Sequence, residues 1–270
     1  MHSSTKKYLD LLRSAGYHTS TCHFCGAQTA SVSDEVFCTC CESRVNLGIA
    51  SPYPDISASL SKLSGDALNG NTKGLDAFLE SRKQGELPPQ IMYGIGNLYM
   101  HASSYRYSMR NYSGQGFMED NSVGIYESLA LTSKSREFFF KALDAFGKDA
   151  TGGSGALYLR FMINMRLKRF FYAGKILENV DPIDENNAIW RYSKMIYAVI
   201  TRSKNAGAQV ASVLNTGEPN TFYYLSVHLM HKKRFEDAEA LLSELFYKTG
   251  MPSAKYLLGS IKELQDRTDT

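Results

Sequence analysis

Five cysteines fall between Cys22 and Cys41, and the chain holds no other. Cys22, Cys25, Cys38 and Cys41 follow the spacing C-x2-C-x12-C-x2-C. A short C-x2-C turn presents two thiolates to one point, and two such turns supply the four soft ligands of a tetrahedral ion. The expected ion is Zn2+, and its role structural. A catalytic zinc keeps one position open for water, whereas four thiolates close the shell. Cys40, between two of the ligands, is an alternative to Cys38 or Cys41, and His18 and His23 are spare nitrogen ligands nearby. The competing reading is a set of free thiols with one redox pair. A secreted disulfide framework spreads its cysteines over the fold; clustering in an otherwise cysteine-free chain points to a reducing, intracellular (cytoplasmic) setting.

Local turns and strands must position these thiols. Gly26 follows the first pair, where the backbone needs an unhindered residue. Ser33-Asp34-Glu35 reads as a turn, and Val36-Phe37 as a short strand entering the second pair. Over roughly residues 18–47 the pattern resembles a small zinc ribbon or treble-clef-like finger. We therefore divide the chain into a module over 1–50, comprising an N-terminal helix and the zinc site, and a helical domain over 55–270. Pro52 and Pro54 mark the linker.

The helical part repeats. Ala173, Ala206 and Ala238 recur 33 and 32 residues apart. Leu157, Trp190 and Phe222 stand before them, and Leu177, Val210 and Leu242 after them. A bulky residue on one helix and a small one where the next crosses it resemble the tetratricopeptide hairpin, and Lys233-Arg234-Phe235-Glu236-Asp237-Ala238 is similar to that family's turn into its second helix. Arg160 and Asn164 depart from the pattern. Upstream, Tyr126, Leu129, Ala130, Phe139, Ala142 and Phe146 suggest one more hairpin. Helices are also expected near 56–69 and 73–84, and Pro88-Pro89 opens a long one. The fold class is mainly α: a tetratricopeptide-like helical-hairpin solenoid, about ten helices, with a small N-terminal zinc-ribbon-like module. The final helix, with Tyr256, Leu257 and Ile261, caps the stack or dimerises.

Composition narrows function. A formal charge of +3, from 30 Lys+Arg against 27 Asp+Glu, does not by itself call for a polyanion. No apolar run approaches the roughly 18 residues of a membrane span, so no membrane partner is expected. The histidines sit apart and the cysteines are committed to metal, so no catalytic constellation forms. The chain reads as no enzyme, with no small-molecule substrate evident. It is expected to be a non-enzymatic scaffold that binds another protein. Asn97, Tyr158 and Asn164 are candidates to line a groove for a peptide or partner helix. The alternative is a nucleic-acid-associated regulator of transcription or translation. Turns on one edge of the stack carry Lys134 and Arg136, then Arg166, Lys168 and Arg169, then Arg202 and Lys204, then Lys232, Lys233 and Arg234. The opposite connections carry Asp181, Asp184, Glu185 and Glu218. Tyr105, Arg106 and Arg110 add an aromatic and basic segment suited to stacking on bases.

Overall fold

The computed structural model describes residues 2–33, 35–46, 49–82, 87–112, 121–148, 153–180 and 187–268. Among the described residues are twelve helices and two antiparallel two-stranded hairpins, so the chain is mainly helical with little sheet. The order is α1 (Ser3–Ser14), β1 (His18–Thr21), β2 (Gln28–Ser31), β3 (Glu35–Phe37), β4 (Arg44–Asn46), α2 (Pro54–Leu68), α3 (Lys73–Glu80), α4 (Pro89–Tyr112), α5 (Asn121–Lys148), α6 (Ser154–Arg166), α7 (Phe170–Glu178), α8 (Ala188–Ile200), α9 (Ala206–Leu214), α10 (Pro219–His231), α11 (Phe235–Thr249) and α12 (Pro252–Thr268). Four helices start on a proline, α2, α4, α10 and α12, where a missing N–H goes unused and the fixed φ suits the first turn. No helix among the described residues is long and apolar enough to cross a membrane.

Three hairpins, α6–α7, α8–α9 and α10–α11, share one turn. Each first helix ends with a residue in the left-handed region: Lys168 (φ 58°), Arg202 (φ 55°) and Lys233 (φ 58°). The next N–H then reaches back across the turn, from Arg169 to the Asn164 carbonyl (2.8 Å), Ser203 to Ala198 (2.8 Å) and Arg234 to Leu229 (2.9 Å). This closure satisfies carbonyls that the helix end leaves open. Ala173, Ala206 and Ala238 are fully buried in the second helices. Among the large apolar residues aligned with them, Trp190 and Phe222 are buried, but Leu157 is 37% exposed and its neighbour Tyr158 takes the interior position. The expected turn at Lys134 and Arg136 is absent. Residues 121–148 contain no proline, and α5 runs through them as one helix packed along α4. Lys134 pairs with Asp76 on α3 (2.6 Å).

The stack curls back on itself. Helices α6, α8 and α10 pack side by side, α4 touches α6, and α12 returns to α4. The last helix thus meets the first helix that follows the β hairpins: Tyr256 on α12 donates to the Leu68 carbonyl of α2 (2.7 Å). Helix α1 buries Leu9 and Leu12 and docks on α11. Lys248 of α11 caps the last carbonyls of α1 and of the turn after it, including Leu12 (3.2 Å) and Ala15 (3.0 Å). The cysteine-bearing turns of both β hairpins pack against these helices, and one continuous hydrophobic core joins them to the stack.

Candidate metal centre

Each hairpin carries one cysteine pair at its tip. Cys22 and Cys25 sit between β1 and β2, Cys38 and Cys41 between β3 and β4. The four sulfurs lie within 4.8 Å of one another, and all four residues are buried. The cross-hairpin pairs Cys22–Cys41 and Cys25–Cys38 stand 3.7 Å apart, well beyond a disulfide bond. Four thiolates about 2.3 Å from a tetrahedral ion have edges near 3.8 Å, so the donor set fits one metal ion. Burial pushes the Cys22, Cys25 and Cys41 thiols up, whereas at Cys38 burial is outweighed by hydrogen bonds from the neighbouring thiols, which hold it well below the ordinary value; a cation at their centre would favour the thiolate at all four. Cys40 is buried but outside this group, and His18 reaches Ser31 (3.1 Å) rather than the sulfurs.

The two turns are near copies. In each, an N–H points at the first sulfur: Phe24 to Cys22 and Cys40 to Cys38, both 3.4 Å. Gly26 and Glu42 donate back to the Cys22 and Cys38 carbonyls (3.0 and 2.9 Å). Both take a left-handed conformation, φ 72° and 61°. Gly26 also lies against the backbone of α2, where an added Cβ would fall 2.3 Å from the Leu60 carbonyl carbon. Gly94 does the reverse from α4: a Cβ there would sit 2.0 Å from the Phe24 carbonyl oxygen.

With N–H groups turned inward, the carbonyls of the turns face outward, and surrounding helices donate to them. Ser57 and Ser64 of α2 hold the His23 and Gly26 carbonyls (2.7 and 2.8 Å). His101 of α4 donates Nε2–H to Cys40 (2.8 Å), Tyr158 of α6 donates to Glu42 (2.8 Å), and Asn220 of α10 donates to Cys38 (3.2 Å). Phe37 stacks on Tyr192 of α8, centroids 4.1 Å apart.

Glu42 is the hub. It is 5% exposed and occupies the strained position that glycine fills in the first turn. Its carboxylate takes Arg166 of α6 (2.5 Å), Tyr192 of α8 (2.9 Å) and Tyr224 of α10 (3.0 and 3.1 Å). One acidic side chain beside the cysteines therefore gathers three successive helices. The Glu42 carboxylate raises the Arg166 guanidinium against the burial that would lower it.

The structure redistributes the basic set. Arg166 is turned inward onto Glu42 and does not stand on an edge with the others. Lys168, Arg202, Lys204, Lys232 and Lys233 are exposed at the turns. Arg169 is half-buried over the Tyr172 ring (4.3 Å), and Arg234 is held by Asp237 (2.7 Å) and Thr5 (2.9 Å). Arg106 pairs with Glu127 and donates to the Gly70 carbonyl (2.9 Å), and Tyr105 meets Tyr256 edge-on. The Arg110 side chain, Asp181, Asp184 and Glu185 lie outside the described residues. Tyr158 faces the groove, but what fills that groove is the chain's own Glu42 turn. Asn97 and Asn164 donate within their own helices. Glu218, expected on a solvated acidic edge, is 7% exposed. Sequence reasoning missed Glu42, His101, Tyr192 and Tyr224; the spacing of Tyr158, Tyr192 and Tyr224 at successive repeats was the available signal.

No protein-family model, curated protein or solved structure matches this chain.

Proposed function

We propose that the ion is zinc, that it is structural, and that the chain is a non-enzymatic scaffold for another protein. On this reading a zinc-ribbon-like module is held inside a tetratricopeptide-like stack of hairpins. Four thiolates leave no open coordination site, which supports a structural ion over a catalytic one. The observation that carries the scaffold reading is a patch on α7. Phe171 and Tyr172 are 70% and 53% exposed and meet edge-on, with Lys175 above the first ring (5.8 Å) and Arg169 above the second (4.3 Å). Aromatic and arginine side chains are the residues that dominate protein interfaces, and a groove filled by the chain's own hairpins leaves the outer face for contact. The test substitutes both residues, Phe171→Ser with Tyr172→Ser, and compares capture of partners with the wild type. Loss of a specific partner with an unchanged melt supports the scaffold; identical capture by both proteins refutes it.

A second reading rests on the repeated turns. Lys168, Arg202 and Lys233 occupy the same left-handed position at three successive turns and are exposed. Such a row suits nucleic-acid phosphates. Binding to RNA or DNA that weakens steeply with salt, and is lost on neutralising Lys168, Arg202, Lys204, Lys232 and Lys233 together, would favour it. Absent or salt-independent binding would exclude it.

A further inference from the structure

The aromatic pair on α7 does not stand alone. Lys168 closes the turn before Phe171 and Tyr172, and Lys175 lies one helical turn beyond them on the same face. The end of α8 packs on α7: a Cβ added to Gly174 would fall 2.9 Å from the Tyr197 hydroxyl. Helices α6 and α8 also lie side by side. The α8–α9 turn, with Arg202 and Lys204, therefore sits next to the α6–α7 turn with Lys168. These three cations are exposed, and none of them has an ion-pair partner among the described residues. Lys175, by contrast, is taken by Glu178 (2.6 Å). An exposed apolar pair beside uncompensated positive charge is one half of a complementary interface.

The rings themselves discriminate between kinds of partner. A nucleobase needs an open, flat ring face on which to stack. Here Phe171 and Tyr172 meet edge-on, and a cation covers one face of each, Lys175 over Phe171 and Arg169 over Tyr172. What they turn outward suits branched aliphatic side chains, which need no parallel plane. The charge beside them calls for carboxylates.

We propose that this surface takes an acidic segment of a partner protein, its aliphatic side chains on Phe171 and Tyr172 and its carboxylates on Lys168, Arg202 and Lys204. The proposal rests on the scaffold reading and gives that partner its chemistry.

Anisotropy titrations of the full-length, metal-loaded protein with three labelled peptides of one design test it: leucines among glutamates, the same leucines among lysines, and serines among the glutamates. The first binds saturably, and each of the others binds at least about tenfold more weakly. Phe171→Ser with Tyr172→Ser erases the preference for leucine over serine. Lys168→Glu, Arg202→Glu and Lys204→Glu together invert the charge preference, so the lysine peptide becomes the tighter one. All five positions are exposed, and an unchanged helical melt checks that each variant folds. No saturable binding of the acidic leucine peptide at about 1 mM, or a preference that charge reversal does not invert, overturns the assignment. Single-stranded RNA that binds through Phe171 and Tyr172 gives the surface to nucleic acid instead, and self-association lost with those two residues gives it to a second copy. Capture of a natural partner that needs Phe171 and Tyr172 but not the three cations leaves the scaffold standing and sinks the acidic partner; capture that needs neither sinks both.

Discussion

Replacing Glu42 by glutamine preserves side-chain size and removes its charge. Three helices feel the change, because the carboxylate accepts from Arg166, Tyr192 and Tyr224. The Arg166 side chain is 19% exposed and its partner 7%, so the pair is largely desolvated. Removing one partner of a buried pair costs about 3–5 kcal/mol, chiefly through the charge left behind. The glutamine amide keeps one acceptor oxygen, but its NH2 group faces donors. One tyrosine hydroxyl then loses its acceptor, a further cost of about 1–3 kcal/mol. These losses overlap and Arg166 retains some contact with water, so the expected destabilisation is about 4 kcal/mol. That is a large part of the roughly 5–15 kcal/mol that holds a typical domain folded. Urea denaturation followed by circular dichroism reads it. Adding Arg166→Met to Glu42→Gln removes the stranded charge, so the double variant is more stable than Glu42→Gln alone. A Glu42→Gln variant within about 0.5 kcal/mol of wild type, or a double variant whose losses simply add, would refute the hub.

Gly94→Ala drives a Cβ into the Phe24 carbonyl, and both partners are backbone, so it destabilises by about 3 kcal/mol or more in a thermal melt. Gly147→Ala, in a helix with nothing within 4 Å of the added carbon, is the control and stabilises by about 0.5–1 kcal/mol. Cys40→Ser leaves metal stoichiometry unchanged in a colorimetric release assay, whereas Cys38→Ser and Cys41→Ser each lower it. Burial pushes the Glu218 carboxyl up to about 7 from the usual 4.5, so the fold favours its protonated form. That contribution is complete below the unfolded value and is lost as pH rises through 7. Glu218→Gln should therefore gain about 2–3 kcal/mol on wild type between pH 5 and pH 8. A difference that does not change with pH contradicts that environment; comparing the two proteins cancels any pH response of the cysteine cluster, which both share.

The cysteine pairs were legible because metal ligation demands residue types and spacings that little else produces. The last three hairpins were legible for a related reason: a tight helix crossing admits only a small side chain, so Ala173, Ala206 and Ala238 recur in the sequence and are buried in the fold. The α4–α5 pair was misread because Lys134 and Arg136 resemble turn residues, although no glycine or proline near them ends the helix. Most of what surrounds the four cysteines was not legible. Glu42 with Arg166, and His101 with the Cys40 carbonyl, are far apart in sequence and meet only because the stack curls around the hairpins. No local pattern encodes that closure. Nor does one mark Glu218 as buried, since an acidic residue before a proline reads as a solvated helix start.

If one metal ion held by Cys22, Cys25, Cys38 and Cys41 organises the helices packed around these residues, removing it should unfold them. The most direct measurement is metal content on protein purified under reducing conditions, followed by a helical melt with and without a strong chelator. One zinc per chain is expected and, on chelation, loss of helical signal together with the metal, because the turns that α2, α4, α6 and α10 clasp lose their shape. Protein that carries no metal, or a melt that chelation leaves unmoved, would contradict it.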